Sequence, residues 1–463
     1  MSNVGAPFLG ADRSGRPATV LEDTVLVAGL LLMSGAILPL FLGAPDAAWD
    51  PQGYPAVQAV LLIFYAGVCL LMVRRWRAAL LVASRDPLLW LLMAWVFLSV
   101  IWSDVPSLTG RRALGLLLTT AVGLYIAARF DLEDQVRLFA WTLALAALLS
   151  VLAVLFWPDY GIDREFWRGP AWRGVYTQKN NLGRLMALLT VSSLVLVFGR
   201  RATSRWWIGI AALSAAFPLL ARSLTALIAT LEVYGLLAVL FVWHRRAGGR
   251  IEASQLKRLA VVVVLTAGVW TGVWYLQRLA PAPVSGDPPP SVAAERAASD
   301  QVALIDRRTT ALGRIELWRL VGAKILERPW LGFGYGAFWV GNQGASVDVW
   351  SRLQWKPPSA HNGFLDVTLG IGAIGLLLMC AHLFKTGAQV IESFRRHGLE
   401  PCGLWPISFL AFFLLYSLPE TSMLVQNSLL WTAYVAVAFS SNRVEIRNPK
   451  SETNSKSEIR KRS

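Results

Sequence analysis

Apolar segments about as long as a bilayer is thick recur along most of this chain, and they limit what it can become. A helix needs roughly twenty apolar residues to cross the hydrocarbon core. Twelve stretches qualify: 25–44, 54–73, 86–103, 112–129, 136–157, 180–199, 205–221, 223–244, 258–276, 361–384, 402–418 and 424–441. Of the 463 residues, 55% are hydrophobic and only 16% charged, where a soluble chain carries about 25% charged residues. The expected fold is an all-α polytopic membrane protein with about twelve transmembrane helices.

Net charge is +15, a value that in a soluble protein would point to nucleic acid. Here most basic residues lie in short loops: Arg74, Arg75 and Arg77, then Arg200, Arg201 and Arg205, then Arg245, Arg246, Arg250, Lys257 and Arg258, then Lys385, Arg395 and Arg396. All fall on one side if both termini are cytoplasmic, as the positive-inside bias requires. The expected partners are therefore membrane lipids and not nucleic acid. Residues 1–24 are polar, with Glu22 and Asp23 just before the first span, so that span reads as retained. The expected organisation is a cytoplasmic segment 1–24, helices one to nine over 25–276, a large periplasmic loop 277–360, helices ten to twelve over 361–441, and a basic cytoplasmic tail 442–463. Cys69, Cys380 and Cys402 have no metal-site or disulfide spacing.

The exceptions to the charge bias are informative. Arg111 and Arg112 open the fourth span on the outer side, and the outer loop 157–180 holds Arg164, Arg168, Arg173 and Lys179. The loop 277–360 begins with "LAPAPVSGDPPPSVAAERAASD", which reads as flexible. Residues 313–326 then place Ile315, Trp318, Val321, Gly322 and Ile325 at helical spacing, an amphipathic helix. Gly332, Gly334 and Gly336 alternate in "ERPWLGFGYGAFW". With no strand before them they read as a tight loop, not a nucleotide cradle.

The stretch "AHNGFLDVTLGIGAIG" (360–375) places polar groups at the start of an apolar span. Of four histidines, only His361 falls at the outer face; His244 and His397 sit in cytoplasmic loops and His382 near the inner end of its span. A polar helix start is the plain explanation, but histidine also takes a proton near neutral pH. Gly370, Gly372 and Gly375 would let neighbouring helices approach closely. Asp366 and Glu232 are intramembrane carboxylates without an assigned partner.

Outward-facing arginines suit phosphate oxygens, which they grip with a planar fork; contact with lipid headgroups is the ordinary alternative. A sugar on a lipid pyrophosphate already has a good leaving group. Its transfer needs cations for the pyrophosphate and one base for the acceptor hydroxyl. That set calls for no metal and no cofactor.

The same residues resemble a known family. "HNGFLDVTLGIGAIG", with His361, Asn362, Gly372 and Gly375, resembles the signature of the O-antigen ligase and exopolysaccharide polymerase superfamily. "WRGVYTQKNNLGRLMAL", "GRIELW", "RPWLGFGYGAF", "WSDVPSLTGRRALG" and "SLPETSMLVQNSLLW" are similar to its other segments, and the likeness spans roughly residues 85–440. It implies a membrane glycosyltransferase fold and a metal-independent, inverting transferase at the periplasmic face of the bacterial inner membrane. Its donor would be an undecaprenyl-pyrophosphate-linked glycan and its acceptor a glycan or lipid-glycan. A polysaccharide chain-length regulator is a further candidate partner. By motif, His361 is the general base and Arg173 contacts the pyrophosphate, with Arg314 a further loop contact. Arg112, Lys179, Asn180, Arg222, Asn362 and Glu420 complete the substrate-binding candidates. Two positions depart from the family pattern: Leu224 stands where a basic residue is usual, with Arg222 as its substitute, and Gln178 stands where many members have histidine. The wording is closest to exopolysaccharide polymerases. A lipid-linked glycan flippase and a non-catalytic export subunit are the rival readings.

Overall fold

Proline, which lacks the amide hydrogen that a first helical turn leaves unpaired, stands at the opening of four long helices, at Pro55, Pro87, Pro106 and Pro401. Asp86, Asp131, Asn362 and Ser428 accept backbone N–H groups at the starts of four helices, which satisfies further donors. The structure is a computed structural model and describes residues 17–36, 54–164, 170–198, 204–249, 251–279, 311–341, 344–353 and 356–442.

The chain begins with α1 (Pro17–Ser34), α2 (Pro55–Arg74), α3 (Trp76–Ala83) and α4 (Pro87–Leu98). α5 (Pro106–Arg129), α6 (Leu132–Phe156) and α7 (Pro158–Gly161) follow. A two-residue antiparallel pair, β1 (Ile162–Asp163) with β2 (Ala171–Trp172), leads to α8 (Lys179–Val197). Next come α9 (Ser204–Ser214), α10 (Phe217–Leu220), α11 (Leu224–Arg246) and α12 (Ala253–Leu279). The final elements are α13 (Ala311–Glu327), α14 (Val347–Leu353), α15 (Gly363–His397), α16 (Pro401–Ser417) and α17 (Leu429–Ser441).

The architecture is thus mostly helical, as expected of a multi-pass membrane protein. Among the described residues seven helices are long and apolar enough to cross a membrane, or eight if the α3–α4 pair, bent by 88°, counts as one span. α9–α10, α16 and α17 are apolar but shorter, so the count of twelve is not reached by this measure. The expected third span, 86–103, is one arm of that bent pair. The expected twelfth begins only at Leu429, because 418–428 is a loop.

α8 and α17 are the most enclosed elements: every residue from Leu429 to Ser441 is buried, as is 83% of the apolar window of α8. α12, at 11%, and α2, at 22%, lie at the periphery, where lipid rather than protein would meet their apolar faces.

α15 breaks at Ile371 and Gly372, the latter at φ +69°. The freed backbone groups are taken up by neighbours. Trp95 Nε1 donates to the Ile371 carbonyl at 3.0 Å, Ala373 N–H to Pro329 O at 2.8 Å and Phe333 N–H to Leu369 O at 2.8 Å. A kink buried in protein is tolerated because its polar groups find such partners. Gly372 and Gly332 (φ +69°) permit it: a Cβ on Gly372 would meet the Trp330 carbonyl oxygen at 2.0 Å. The glycines of this helix were expected to admit neighbouring helices; at Gly370 and Gly372 they admit the loop 330–336 instead.

A second, smaller apolar core covers the start of α15, built from Leu317, Val321, Phe333, Phe338, Trp339, Val349, Trp350, Leu353, Ala360 and Leu369. The helix expected over 313–326 is present as α13, with Val321 of the expected face fully buried and Trp318 and Ile325 packed against the same core. Ile315 departs from that face at 58% exposed, and Leu317, outside it, is fully buried. Ile315 and Leu317 are both apolar, so periodicity alone does not choose between them. The segment 280–310, including most of the proline-rich stretch, lies outside the described residues.

Candidate active site

His361 is placed by its neighbours more than by its own side chain. The Ala360 carbonyl accepts from Trp318 Nε1 at 2.9 Å, and the Ala360 N–H donates to both oxygens of Asp366, at 3.0 and 3.1 Å. With both backbone groups of Ala360 fastened, His361 adopts φ +47°, a left-handed conformation that non-glycine residues adopt rarely. Asn362 then caps α15, its Oδ1 accepting from the N–H groups of Phe364 and Leu365.

The imidazole faces a carboxylate from a distant part of the chain. His361 Nδ1 lies 3.0 Å from Glu420 Oε2, and Arg314 donates to the other oxygen, Oε1, at 2.7 Å. Burial works to raise the Glu420 pKa. The hydrogen bond and charge of His361, with the nearby Arg314 and Arg184 guanidiniums, outweigh it and hold the carboxyl below its ordinary range. An ionised Glu420 accepts from Nδ1–H, so the tautomer it selects carries its basic lone pair on Nε2.

Asp366 ties the two segments together. Besides the Ala360 N–H it accepts from Trp339 Nε1 at 2.8 Å and from the hydroxyl of Thr421, the residue after Glu420. One carboxylate therefore grips the residue before His361 and the residue after Glu420. Tyr335, whose hydroxyl donates to Leu424 O at 2.6 Å, and Asn427, whose side chain accepts from Tyr65 at 2.7 Å, fasten the rest of the loop 418–428.

The cations gather from several elements. Arg184 on α8 sits over the Tyr416 ring, 5.8 Å from its centroid, at the end of α16. Arg222 (φ +47°) precedes α11 and has a buried Nε without a hydrogen-bond partner among the described residues. Its neighbour Ser223 packs against Gly183, the residue before Arg184, so the two arginine-bearing segments meet. Leu224, the departure from the family pattern, is 64% exposed.

The remaining candidates distribute as follows. Arg173 is buried and donates from Nε and Nη2 to the Tyr160 carbonyl at 3.0 and 2.7 Å, its guanidinium over the Tyr160 ring. Lys179 and Asn180 form the first turn of α8, the helix that carries Arg184. Arg112 on α5 donates to the Gly336 carbonyl and lines a cavity beside Asp366. Glu232 is half-buried in α11. Arg184 is the site residue that the sequence reading passed over. Its signal was present: an arginine inside an apolar helix is costly there and by default functional. Glu420, expected among the substrate-binding residues, lies against His361 Nδ1 and Arg314.

Chemically, a partly exposed imidazole oriented by a buried carboxylate is a proton acceptor, and the guanidiniums beside it are suited to an anion. Residues 209–380 match the family model described as O-Antigen ligase, in agreement with the resemblance read from the motifs. That match includes Arg222, Arg314, His361 and Asn362; Arg112, Arg173, Lys179, Arg184 and Glu420 lie outside it. The chain is similar to the exopolysaccharide production protein ExoQ of Rhizobium meliloti (strain 1021), 25% identical over 306 residues, 63% of this chain and 62% of that relative. The chain thus aligns with less than two thirds of that protein's length. It also resembles, at 16% identity and a TM-score of 0.37, a chain from the solved structure "Structural coordination of polymerization and crosslinking by a peptidoglycan synthase complex", covering 81% of this chain and 98% of that one. A likeness that loose carries no argument.

Proposed function

We propose that this protein transfers a glycan from an undecaprenyl-pyrophosphate carrier to an acceptor hydroxyl, in exopolysaccharide or O-antigen assembly. The observation that carries the reading is the Arg314–Glu420–His361 chain, with its 2.7 and 3.0 Å contacts. His361 Nε2 takes the proton of the acceptor hydroxyl as that oxygen attacks the anomeric carbon. The bond from this carbon to the phosphate oxygen breaks, and attack from the opposite face inverts the anomeric centre. Arg314, Arg184 and Arg222 stabilise the departing pyrophosphate, and Glu420 stabilises the imidazolium until its proton passes to solvent. The reaction needs no metal and no ATP. Twelve spans, cytoplasmic termini and an outer loop 277–360 would set His361 at the periplasmic face of the inner membrane. The charge distribution along the loops supports that orientation.

The test is incubation of the purified full chain with undecaprenyl-pyrophosphate oligosaccharide and a glycan acceptor, in chelator and without ATP. The expected products are an elongated glycan with inverted linkage and free undecaprenyl pyrophosphate, with neither formed by His361→Ala. Equal product from His361→Ala overturns the reading. The similarity to ExoQ, described as an exopolysaccharide production protein, supports a role in exopolysaccharide assembly. A flippase would need polar groups lining a path past the midplane. The other histidine–carboxylate pair, His382 on α15 with Asp86 at the start of α4, is 0% exposed, which favours the transferase reading.

A further inference from the structure

A cavity of about 310 Å³ lies beside the two segments that carry the histidine–carboxylate pair. Its wall includes Ser359, two residues before His361, Thr421, next to Glu420, and Asp366, which joins those two segments. We propose that this cavity seats the terminal sugar of the acceptor, a proposal that rests on the transferase reading above.

Three observations decide the occupant. First, its volume lies at the low end of ligand pockets, about 300–1,000 Å³, enough for a single sugar or a disaccharide. Second, the wall combines the rings of Tyr335, Phe338 and Trp339 with the polar side chains of Gln426, Ser359 and Thr421. Ring faces take the C–H face of a pyranose, and amides and hydroxyls take its hydroxyls. Third, Arg184, Arg314, Arg222 and Arg173 are absent from its lining. The one arginine there, Arg112, donates to the Gly336 carbonyl. A wall without a cluster of cations suits an uncharged polyol. A pyrophosphate belongs with the cations near Glu420. Donor and acceptor are thereby assigned to different sets of residues around the His361–Glu420 pair.

Gly370 makes the cavity testable. It lines the wall, and a Cβ there would meet Tyr335 Cα at 3.6 Å and Gly336 N at 3.7 Å, ordinary contact, so Gly370→Ala narrows the cavity without disturbing the fold. Gln426→Ala removes a polar group from the same wall. The probe is the lipid-free oligosaccharide of the donor's repeat unit, used as acceptor with the purified full chain. Each variant is expected to raise the acceptor KM at least fivefold while the donor KM stays at the wild-type value. A raised donor KM with unchanged acceptor KM would assign the cavity to the donor, and no change in either would make it a void; both overturn the proposal. Calorimetric binding of the same oligosaccharide, without donor, separates the two readings. Weakened binding in both variants supports the cavity even if no transfer occurs, and wild-type binding in both overturns it even if transfer does occur.

Discussion

Two histidine–carboxylate pairs lie on either side of the break in α15. His361 stands just before the helix, its side chain 23% exposed, with Nδ1 on Glu420. His382 stands beyond the break, 0% exposed, with Nε2 3.1 Å from Asp86 Oδ2 and Nδ1 2.6 Å from the Tyr434 hydroxyl. Lys385 Nζ is 2.8 Å from the other Asp86 oxygen, and Asn442 Nδ2 donates to Asp86 as well. Asp86 also caps α4, so this cluster binds α4, α15 and the end of α17 together. The inner pair commits both ring nitrogens to protein and meets nothing from outside. The outer pair sits on loop backbone, beside cations and a cavity. Similar side chains form a closed clasp where packing encloses them and leave a ring nitrogen open to an acceptor's proton, as proposed for His361, where it does not.

The sharpest way to break this comparison is to delete each imidazole in turn. His361→Ala is expected to lower transfer by about 10²- to 10⁴-fold, the usual worth of a general base, at an unchanged unfolding temperature in detergent. His382→Ala should instead lower that temperature, and an equal loss of transfer from a stably folded His382→Ala would abolish the distinction. Next in size is Asp86→Ala, which leaves Lys385 and His382 without their buried counter-charge. The expected cost is about 3–5 kcal/mol, read from thermal unfolding of the purified protein. A neutral result there would show that the clasp contributes nothing.

Glu420→Gln tests the other pair. Loss of a hydrogen bond to a charged group, about 1.5–3 kcal/mol, should slow transfer roughly tenfold to a hundredfold. Since the folded-state pKa of Glu420 is depressed, its ionised form stabilises the protein. That contribution is fully present above the unfolded value of about 4.3 and is lost as pH falls through the lower folded value. The glutamine variant should therefore show a shallower loss of stability in acid than the parent, and parallel acid limbs would count against an ionised, paired Glu420. The smallest effect belongs to Asn362. As a helix cap its loss to alanine should cost about 1 kcal/mol, with aspartate substituting well. Loss of transfer in both variants at full stability would instead place its amide on the substrate.

Much of the outline is legible residue by residue. The apolar runs, the helix at 311–327 and the tight glycine loop all follow from local pattern, because each depends on neighbours within a few turns. The exposure of Ile315 does not, since Ile315 and Leu317 are equally apolar and only the loop core selects Leu317. The match of Asp366 with Ala360 lies within one motif, yet its bonds to Trp339 and Thr421 cross two chain segments that no spacing relates. Arg184 was visible as a charge in an apolar helix, but its proximity to Glu420 depends on how α8 packs beside α16.

Composition and hydropathy by themselves determined that this chain builds apolar helices, that its basic residues cluster between apolar runs, and that a histidine stands at a helix start among motif residues. These are properties of short stretches, set by the transfer cost of each side chain and by helical periodicity. Only the tertiary structure decided that His361 pairs with Glu420, that Arg314 sits behind that carboxylate, and that Asp366 fastens both segments. Those contacts join residues far apart in the chain, and the packing of the whole bundle determines which distant groups meet.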